Sequence, residues 1–299
     1  MILLGPTAVG KSSAAMHLAS LRRGEIINAD SMQVYRDFDI GTDKPSPEDR
    51  RRIPHHLLDV AEPRDQYTAA DFAAGAQAAV KDILSRGALP LIVGGTGLYL
   101  KALVDGLFPG PCRNPELRAR LNGDAETQGL DVLYERLERA DPDYAQTLGR
   151  RDRLRIIRAL EVYETTGIPL SEHFKKTRSY LAGFRVLKLG LHREKEPHRR
   201  RIDERVDRMF AAGLVEEVRG ILARGIPETA PPFRALGYRH ALEVLKARMT
   251  AAEAAEQTKI DTRRYAKRQM TWFRKTTDVH WFAAEDIAGL ERCLESVIQ

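Results

Sequence analysis

The 299-residue chain carries 48 Lys+Arg against 42 Asp+Glu, a formal net charge of +6 at pH 7, with 43% hydrophobic and 30% charged residues. That composition supports one large domain, or a core with a smaller appendage, and argues against a disordered chain. No apolar run approaches the ~18 residues of a membrane span, no secretory signal opens the sequence, and Cys112 and Cys293 alone make neither a disulfide framework nor a zinc site. A reducing, cytoplasmic setting without a membrane partner is expected.

Met1–Leu4 is a short apolar strand running into Gly5, and the chain begins inside it, so a few more strand residues are expected upstream. Lys11–Leu21 has the apolar spacing of a helix, Glu25–Asn28 reads as a strand, and Asp71–Ser85 is an Ala-rich helix closed by Gly87. Leu89–Val93 is a third strand, entering Gly94-Gly95 and a helical run over Leu98–Val104. Strands alternating with helices in this order predict a parallel α/β sheet. Gly and Pro crowd Gly106–Pro115, which marks a boundary. From Pro115 to about Thr177 the periodicity is helical throughout; strand character returns over Phe184–Leu191. Helices are expected near Pro197–Phe210, Val215–Arg224, Arg234–Lys246 and Ala251–Arg274, then a strand over Val279–Phe282 and a closing helix over Asp286–Ile298. The simplest organisation is a core of residues 1–111 and 183–299 interrupted by a helical insertion, 112–182.

Gly5-Pro6-Thr7-Ala8-Val9-Gly10-Lys11-Ser12 matches G-x-x-x-x-G-K-[ST], with a strand before it and a helix after it. Such a loop converges backbone N–H groups on phosphate oxygens at the positive end of a helix. Lys11 would contact the terminal phosphate and Ser12 a magnesium ion, Mg2+. The motif implies a polyphosphate or diphosphate, not specifically a nucleotide. Asp30 follows the second strand, at the sheet edge where ligands bind, and could be a magnesium ligand, a general base or, with Ser31, a turn cap. Thr96, in Gly94–Tyr99, offers a hydroxyl at the same edge or caps the next helix. Leu91-Ile92-Val93 leads to Gly94 where a motor ATPase or GTPase would have an Asp.

Together GPTAVGKS, INADSMQVY, IGTDKPS, PHHLLD, YTAADF, GGTGLYLKAL, RALEVYETTG, FRALGYR and TRRYAKRQMTWFRK resemble the tRNA dimethylallyltransferase (tRNA isopentenyltransferase) family over essentially the whole chain, in the family's order. The resemblance implies an α/β, P-loop NTPase-like core with a parallel sheet flanked by helices, plus an all-helical inserted domain that grips the tRNA anticodon stem-loop. It implies transfer of a dimethylallyl group from dimethylallyl diphosphate to N-6 of the adenosine 3′ to the anticodon, position thirty-seven, in tRNAs reading codons that begin with U. Diphosphate leaves, with magnesium assisting. Lacking a C-x-x-C or His pair after the core, the chain resembles the bacterial type and is expected to be a monomer.

The chemistry fits the residues. Converging N–H groups, Lys11 and magnesium would stabilise charge on the leaving diphosphate, in a pocket that excludes water from the allylic cation. The delocalised adenine amine needs a carboxylate for its proton, a role given to Asp30. By resemblance, Thr96 lies where amine and diphosphate meet, and Arg205 holds the diphosphate; Arg201 lies four residues earlier on the same helical face, and either arginine could instead pair with Asp203 or Glu204. The resemblance places Asp30, Ser31, Met32, Gln33, Thr96, Arg118, Arg155, Arg158, Arg234, Gly237, Tyr238 and Arg239 on the tRNA. Two basic runs, Arg150–Arg158 opposed only by Asp152 and Asp261–Lys275 opposed only by Asp261, fit phosphate-backbone contacts or a solvated face. Tyr265, Trp272 and Phe273 are read as core rather than as base-stacking platforms. Competing readings are an adenylate isopentenyltransferase, a P-loop kinase of a small metabolite, and a non-catalytic RNA-binding protein; the insertion, the arginine runs and the intact Lys11, Ser12, Asp30 and Thr96 favour the tRNA-modifying reading.

Overall fold

The short apolar segments at the centre of the sheet, Ile2–Leu4, Gly24–Asn28 and Leu89–Gly94, become strands because they are buried on both faces, as parallel strands under helices must be. The computed structural model describes residues 1–108, 110–111 and 114–298; Cys112 lies outside them. The first unit, Met1–Val104 with Gly183–Gln299, contains every strand among the described residues. Its elements begin with β1 (Ile2–Leu4), α1 (Lys11–Leu21), β2 (Gly24–Asn28), α2 (Pro47–Arg52), β3 (His55–His56), α3 (Ala69–Ser85), β4 (Leu89–Gly94) and α4 (Gly97–Asp105). The second unit, Asp105–Ala182, is formed by α5 (Pro115–Thr127), α6 (Leu130–Ala140), α7 (Pro142–Ala145), α8 (Arg153–Thr166) and α9 (Leu170–Lys175). The first unit resumes with β5 (Lys188–His192), α10 (Lys195–Ala211), α11 (Leu214–Ala223), α12 (Leu236–Leu245), α13 (Ala251–Phe273), β6 (Val279–Ala283) and α14 (Ile287–Ile298).

The sheet has six parallel strands in the order β3-β2-β4-β1-β5-β6. Its register positions the site. Leu4 of β1 pairs with Gly94 of β4 and Gly190 of β5, while Asn28 of β2 pairs with Val93. The loops after β1, β2 and β4 therefore leave the sheet together at its C-terminal edge, where open α/β sheets bind ligands. Leu3, Leu18, Leu91, Leu189, Leu191 and Leu290 form a core against the sheet, and Val9 of the phosphate loop is buried in the same cluster.

Several boundaries differ from the sequence reading. The division between units falls at Asp105, where α4 ends, rather than at 112. The strand expected over Phe184–Leu191 starts at Lys188, because its ladder with β1 begins with the pair Ile2–Lys188. Helix α8 starts at Arg153, capped by Asp152 on the Arg155 amide, so Arg150 and Arg151 precede it. The short elements α2 and β3 were not anticipated: Pro47–Arg52 has no apolar periodicity, and two residues of strand carry none either. Ser46 caps α2, its side chain accepting from the Asp49 amide at 3.1 Å, with Pro47 in the first turn.

Candidate active site

The phosphate loop spans Gly5–Ser12, from the end of β1 into the first turn of α1. Burial of Val9 anchors it, and Lys11 folds back so that its Nζ donates to the carbonyls of Gly5 (2.9 Å) and Pro6 (2.8 Å). Burial pushes the Lys11 amine down to about 7; the Asp30 charge works against that shift and the Arg205 charge with it. Ser12 is exposed at the head of α1.

Thr7 is held from three directions. Its hydroxyl accepts from Arg205 Nη1 at 2.9 Å, its carbonyl lies 2.8 Å from His198 Nε2, and its amide donates to Gln269 Oε1 at 2.8 Å. Burial lowers the His198 pKa, and because a carbonyl can only accept, the Nε2 that faces it carries a proton and donates. Arg201 donates to the Ala8 carbonyl at 3.2 Å. Arg201 and Arg205 of α10 thus both face the phosphate loop; neither takes Asp203, which pairs with Arg263 at 2.6 Å. Arg205 alone also reaches Asp43, at 3.3 Å, and the Thr42 carbonyl, at 3.4 Å.

Asp30 stands two residues beyond β2. Its amide donates to Asn28 Oδ1 at 3.1 Å and its Oδ1 accepts from the Met32 amide at 2.8 Å, an Asx turn that aims the carboxylate. Thr96 Oγ1 accepts from the Ser31 amide at 3.0 Å and donates to Ser31 Oγ at 3.3 Å. The loops after β2 and β4 are drawn together there, and Gly94 permits it: a Cβ at that position would stand 2.2 Å from the Ala29 carbonyl oxygen. Thr96 also accepts at its carbonyl from Tyr99 and Leu100 at the start of α4, so bridging the loops and starting the helix coexist.

The other residues assigned to tRNA divide into groups. Arg155 and Arg234 are exposed and Met32 is half-buried. Gln33 donates to the carbonyls of Thr42 (3.0 Å) and Asp43 (3.1 Å), bracing their loop. Arg239 pairs with Asp261 at 2.7 Å. Gly237 and Tyr238 are buried, which corrects their reading as contact residues. The Tyr238 hydroxyl accepts from the Gly41 amide at 3.1 Å and donates to Glu217, whose carboxylate also takes the amides of Asp39 and Ile40. Tyr238 therefore holds the loop that presents Thr42 and Asp43 to Arg205. Arg118 and Arg158, half-buried, both donate to Glu161, which is fully buried, at 2.8 and 2.9 Å.

The basic run of α13 is more open. Arg263 and Arg264 face Asp203 and Asp261, but Lys267, Arg268, Arg274 and Lys275 meet no carboxylate among the described residues. Arg264, Lys267, Arg268, Thr271, Trp272 and Lys275 line a shallow cavity of 330 Å³. Trp272, expected in the core, is 45% exposed there, whereas Phe273 is buried and Tyr265 half-buried, its hydroxyl pushed up to about 12, by burial first and the Asp30 charge second. The helical period turns Trp272 outward as it turns Phe273 in.

Sequence reasoning missed Gln269, His198, Glu217 and Asp43. Gln269 had a signal, an amide inside a run of cations; the others had none, because their partners (the Thr7 carbonyl for His198, Tyr238 and the Asp39 and Ile40 amides for Glu217, Arg205 for Asp43) are remote in sequence. Among the described residues no cluster of three or more His, Cys, Asp or Glu could hold a metal, and no helix is long and apolar enough to cross a membrane.

The profile of the IPP transferase family matches residues 33–276, and that of an isopentenyl transferase family matches residues 1–62. The chain is 48% identical to a tRNA dimethylallyltransferase of Geobacter metallireducens, over 94% of this chain and 91% of that protein, and 44% identical to one of Syntrophobacter fumaroxidans, over 97% and 85%. Among solved structures, a tRNA isopentenylpyrophosphate transferase of Bacillus halodurans is 34% identical with a TM-score of 0.73, covering 99% of this chain and 95% of that one. A eukaryotic dimethylallyltransferase solved acting on tRNA is 29% identical with a TM-score of 0.81, covering 98% and 77%.

Proposed function

The chain belongs to the IPP transferase family, the tRNA dimethylallyltransferases, and we propose that it prenylates N-6 of the adenosine 3′ to the anticodon of tRNAs reading U-starting codons, with dimethylallyl diphosphate as donor. The observation that carries this reading is the convergence of two chemistries on one sheet edge. A cationic seat of Lys11 and Arg205 surrounds the phosphate loop, and a carboxylate, Asp30, stands beside Thr96 on the adjoining loops.

The phosphate loop from Gly5 to Ser12, with Lys11 and Arg205, holds the diphosphate and stabilises the charge that develops as the allylic carbon–oxygen bond breaks. The adenine N-6 attacks the allylic carbon, and its proton passes to Asp30, whose Oδ1 is already oriented by the Met32 amide. Thr96, with a hydroxyl that both donates and accepts, orients the amine. The site also suits magnesium. The Ser12 hydroxyl is a hard oxygen at the positive end of α1, and it would be one ligand beside phosphate oxygens and water. Bound there, the ion would neutralise charge on the leaving diphosphate.

The anticodon stem-loop is gripped by the helical insertion, with Arg155 exposed on it, and by the Arg234–Arg239 segment and the open cations of α13. The loop adenosine is extruded at a cost of a few kcal/mol. One chain supplies every group named, so the active form is a monomer, working in the cytoplasm where its substrate is.

The test is incubation with labelled dimethylallyl diphosphate and unmodified tRNA, AMP, or ATP with small metabolites. Label in tRNA at the adenosine beside the anticodon is expected. Label on AMP but not on tRNA overturns the reading in favour of an adenylate isopentenyltransferase.

A further inference from the structure

We infer that Gln269 is a positioning residue for the transfer: its carboxamide ties the phosphate loop to the loop bearing Thr96 and so sets the spacing between diphosphate and attacking amine. The inference rests on the transferase reading and adds a residue to it. Gln269 lies on α13, 6% exposed. Its Oε1 accepts from the Thr7 amide at 2.8 Å and its Nε2 donates to the Gly95 carbonyl at 2.8 Å. The orientation of the amide is forced, because a backbone N–H needs an acceptor and a carbonyl a donor.

The bridge lies where the sheet stops connecting these loops. The β1–β4 ladder ends with the pair Leu4–Gly94; beyond it, Gln269 joins Thr7 to Gly95. The approach is close enough that a Cβ on Gly95 would stand 2.5 Å from Nε2. Thr7 is the residue whose hydroxyl meets Arg205, and Gly95 precedes Thr96, so one amide links the donor-binding arginine to the residue beside Asp30. The charged and titratable groups around the bridge are Arg205 and His198 of α10 on Thr7, Lys11 on the neighbouring Gly5 and Pro6 carbonyls, and Tyr265 and Arg268 of α13, with Asp30 acting on Tyr265. Nonpolar isosteres would leave a Thr7 N–H and a Gly95 carbonyl without partners and the two loops free to drift. A displacement of ~1 Å of that kind costs about 10²-fold in rate.

Two variants of the full chain test this, with thermal unfolding recorded for each. Gln269→Leu is expected to lower kcat for prenyl transfer about 100-fold, with less than about three-fold change in tRNA retention on filters. Gln269→Glu separates positioning from packing. Ionised, the carboxylate still accepts from Thr7 but turns an anion toward the Gly95 carbonyl. Protonated, it accepts with one oxygen and donates with the other, restoring both bonds, and burial raises the pH at which this happens. The ratio of Gln269→Glu to wild-type kcat should therefore rise about five-fold or more from pH 8 to pH 6, the wild type cancelling the pH dependence of Asp30 and Lys11. A flat ratio overturns the inference, as does a folded Gln269→Leu variant with wild-type kcat. If Gln269→Leu fails to fold, the Gln269→Glu ratio decides. A wild-type chain that leaves tRNA unprenylated overturns the transferase reading, and this inference with it; a wild type that works beside an insensitive variant overturns the inference alone.

Discussion

The phosphate loop and the arginine run of the insertion are both rich in positive charge, yet the structure treats their cations in opposite ways. At the loop, Lys11 rests on two carbonyls, Arg201 on a third and Arg205 on a hydroxyl, with Asp43 its one ion-pair partner among the described residues. These partners leave the positive charge largely uncancelled for an incoming anion. In the insertion, Arg155 stays exposed beside Asp152, but Arg118 and Arg158 meet buried Glu161 and Arg153 meets Glu126. There the charge folds the unit. Counting cations along a sequence does not distinguish these two uses; naming their partners does.

The largest effect should come from the carboxylate at the sheet edge. Asp30→Ala should slow single-turnover transfer by about 10²–10⁴-fold while tRNA still shifts in a gel; a full transfer rate would remove Asp30 from the mechanism.

Next is the insertion. Glu161→Ala strips Arg118 and Arg158 of their shared partner and opens a cavity, and should cost about 3 kcal/mol in urea unfolding. Burial raises the Glu161 pKa, but the bonds from Arg158, Arg118 and the Asn114 amide outweigh it, so the net pKa is lowered. Its contribution is therefore present above the ordinary carboxylate range and lost as pH falls through the lowered folded value. If unfolding of Glu161→Ala matches the wild type, the ion-paired account of the insertion is wrong.

A smaller, sharper effect is a proton. With Lys11 near 7 in the free site, much of it is neutral at pH 8. Diphosphate would favour the ammonium, so donor binding should take up close to one proton, read as a dependence of calorimetric heat on buffer ionisation enthalpy. Without ligand the sign for folding is set likewise: the unfolded lysine binds the extra proton between about 7 and 10.5, so stability rises with pH across that window. Heat that is independent of the buffer would place Lys11 away from the diphosphate.

The smallest effects separate the two kinds of cation on tRNA. Lys267→Ala and Lys275→Ala should each flatten the slope of log affinity against log salt by about 1. Arg158→Ala should leave the slope alone and lower stability instead. Equal slope changes for all three would erase the distinction.

Much of this site was readable before any coordinates. The Gly5–Ser12 loop, Asp30 and Thr96 each follow a strand in the chain, and strand-loop-helix order is a local property. The family motifs extended that reading to Arg205, which does face Thr7. What failed had a common cause. Trp272 and Tyr238 are both aromatics in basic, family-typical segments; the first points out of α13, and the second is buried with its hydroxyl on Gly41 and Glu217. The sequence also hid the ion pair of Arg118, whose carboxylate partner lies forty-three positions away.

The order of strands and helices, the anion-binding loop and the family are thus carried by the chain itself, because backbone periodicity and glycine-rich turns act over a few residues. Which cations remain open, which aromatics are buried, and how Gln269 joins two loops were decided only by tertiary packing. Those outcomes depend on burial and on partners brought together across the sheet edge, and neither is a property of neighbouring residues.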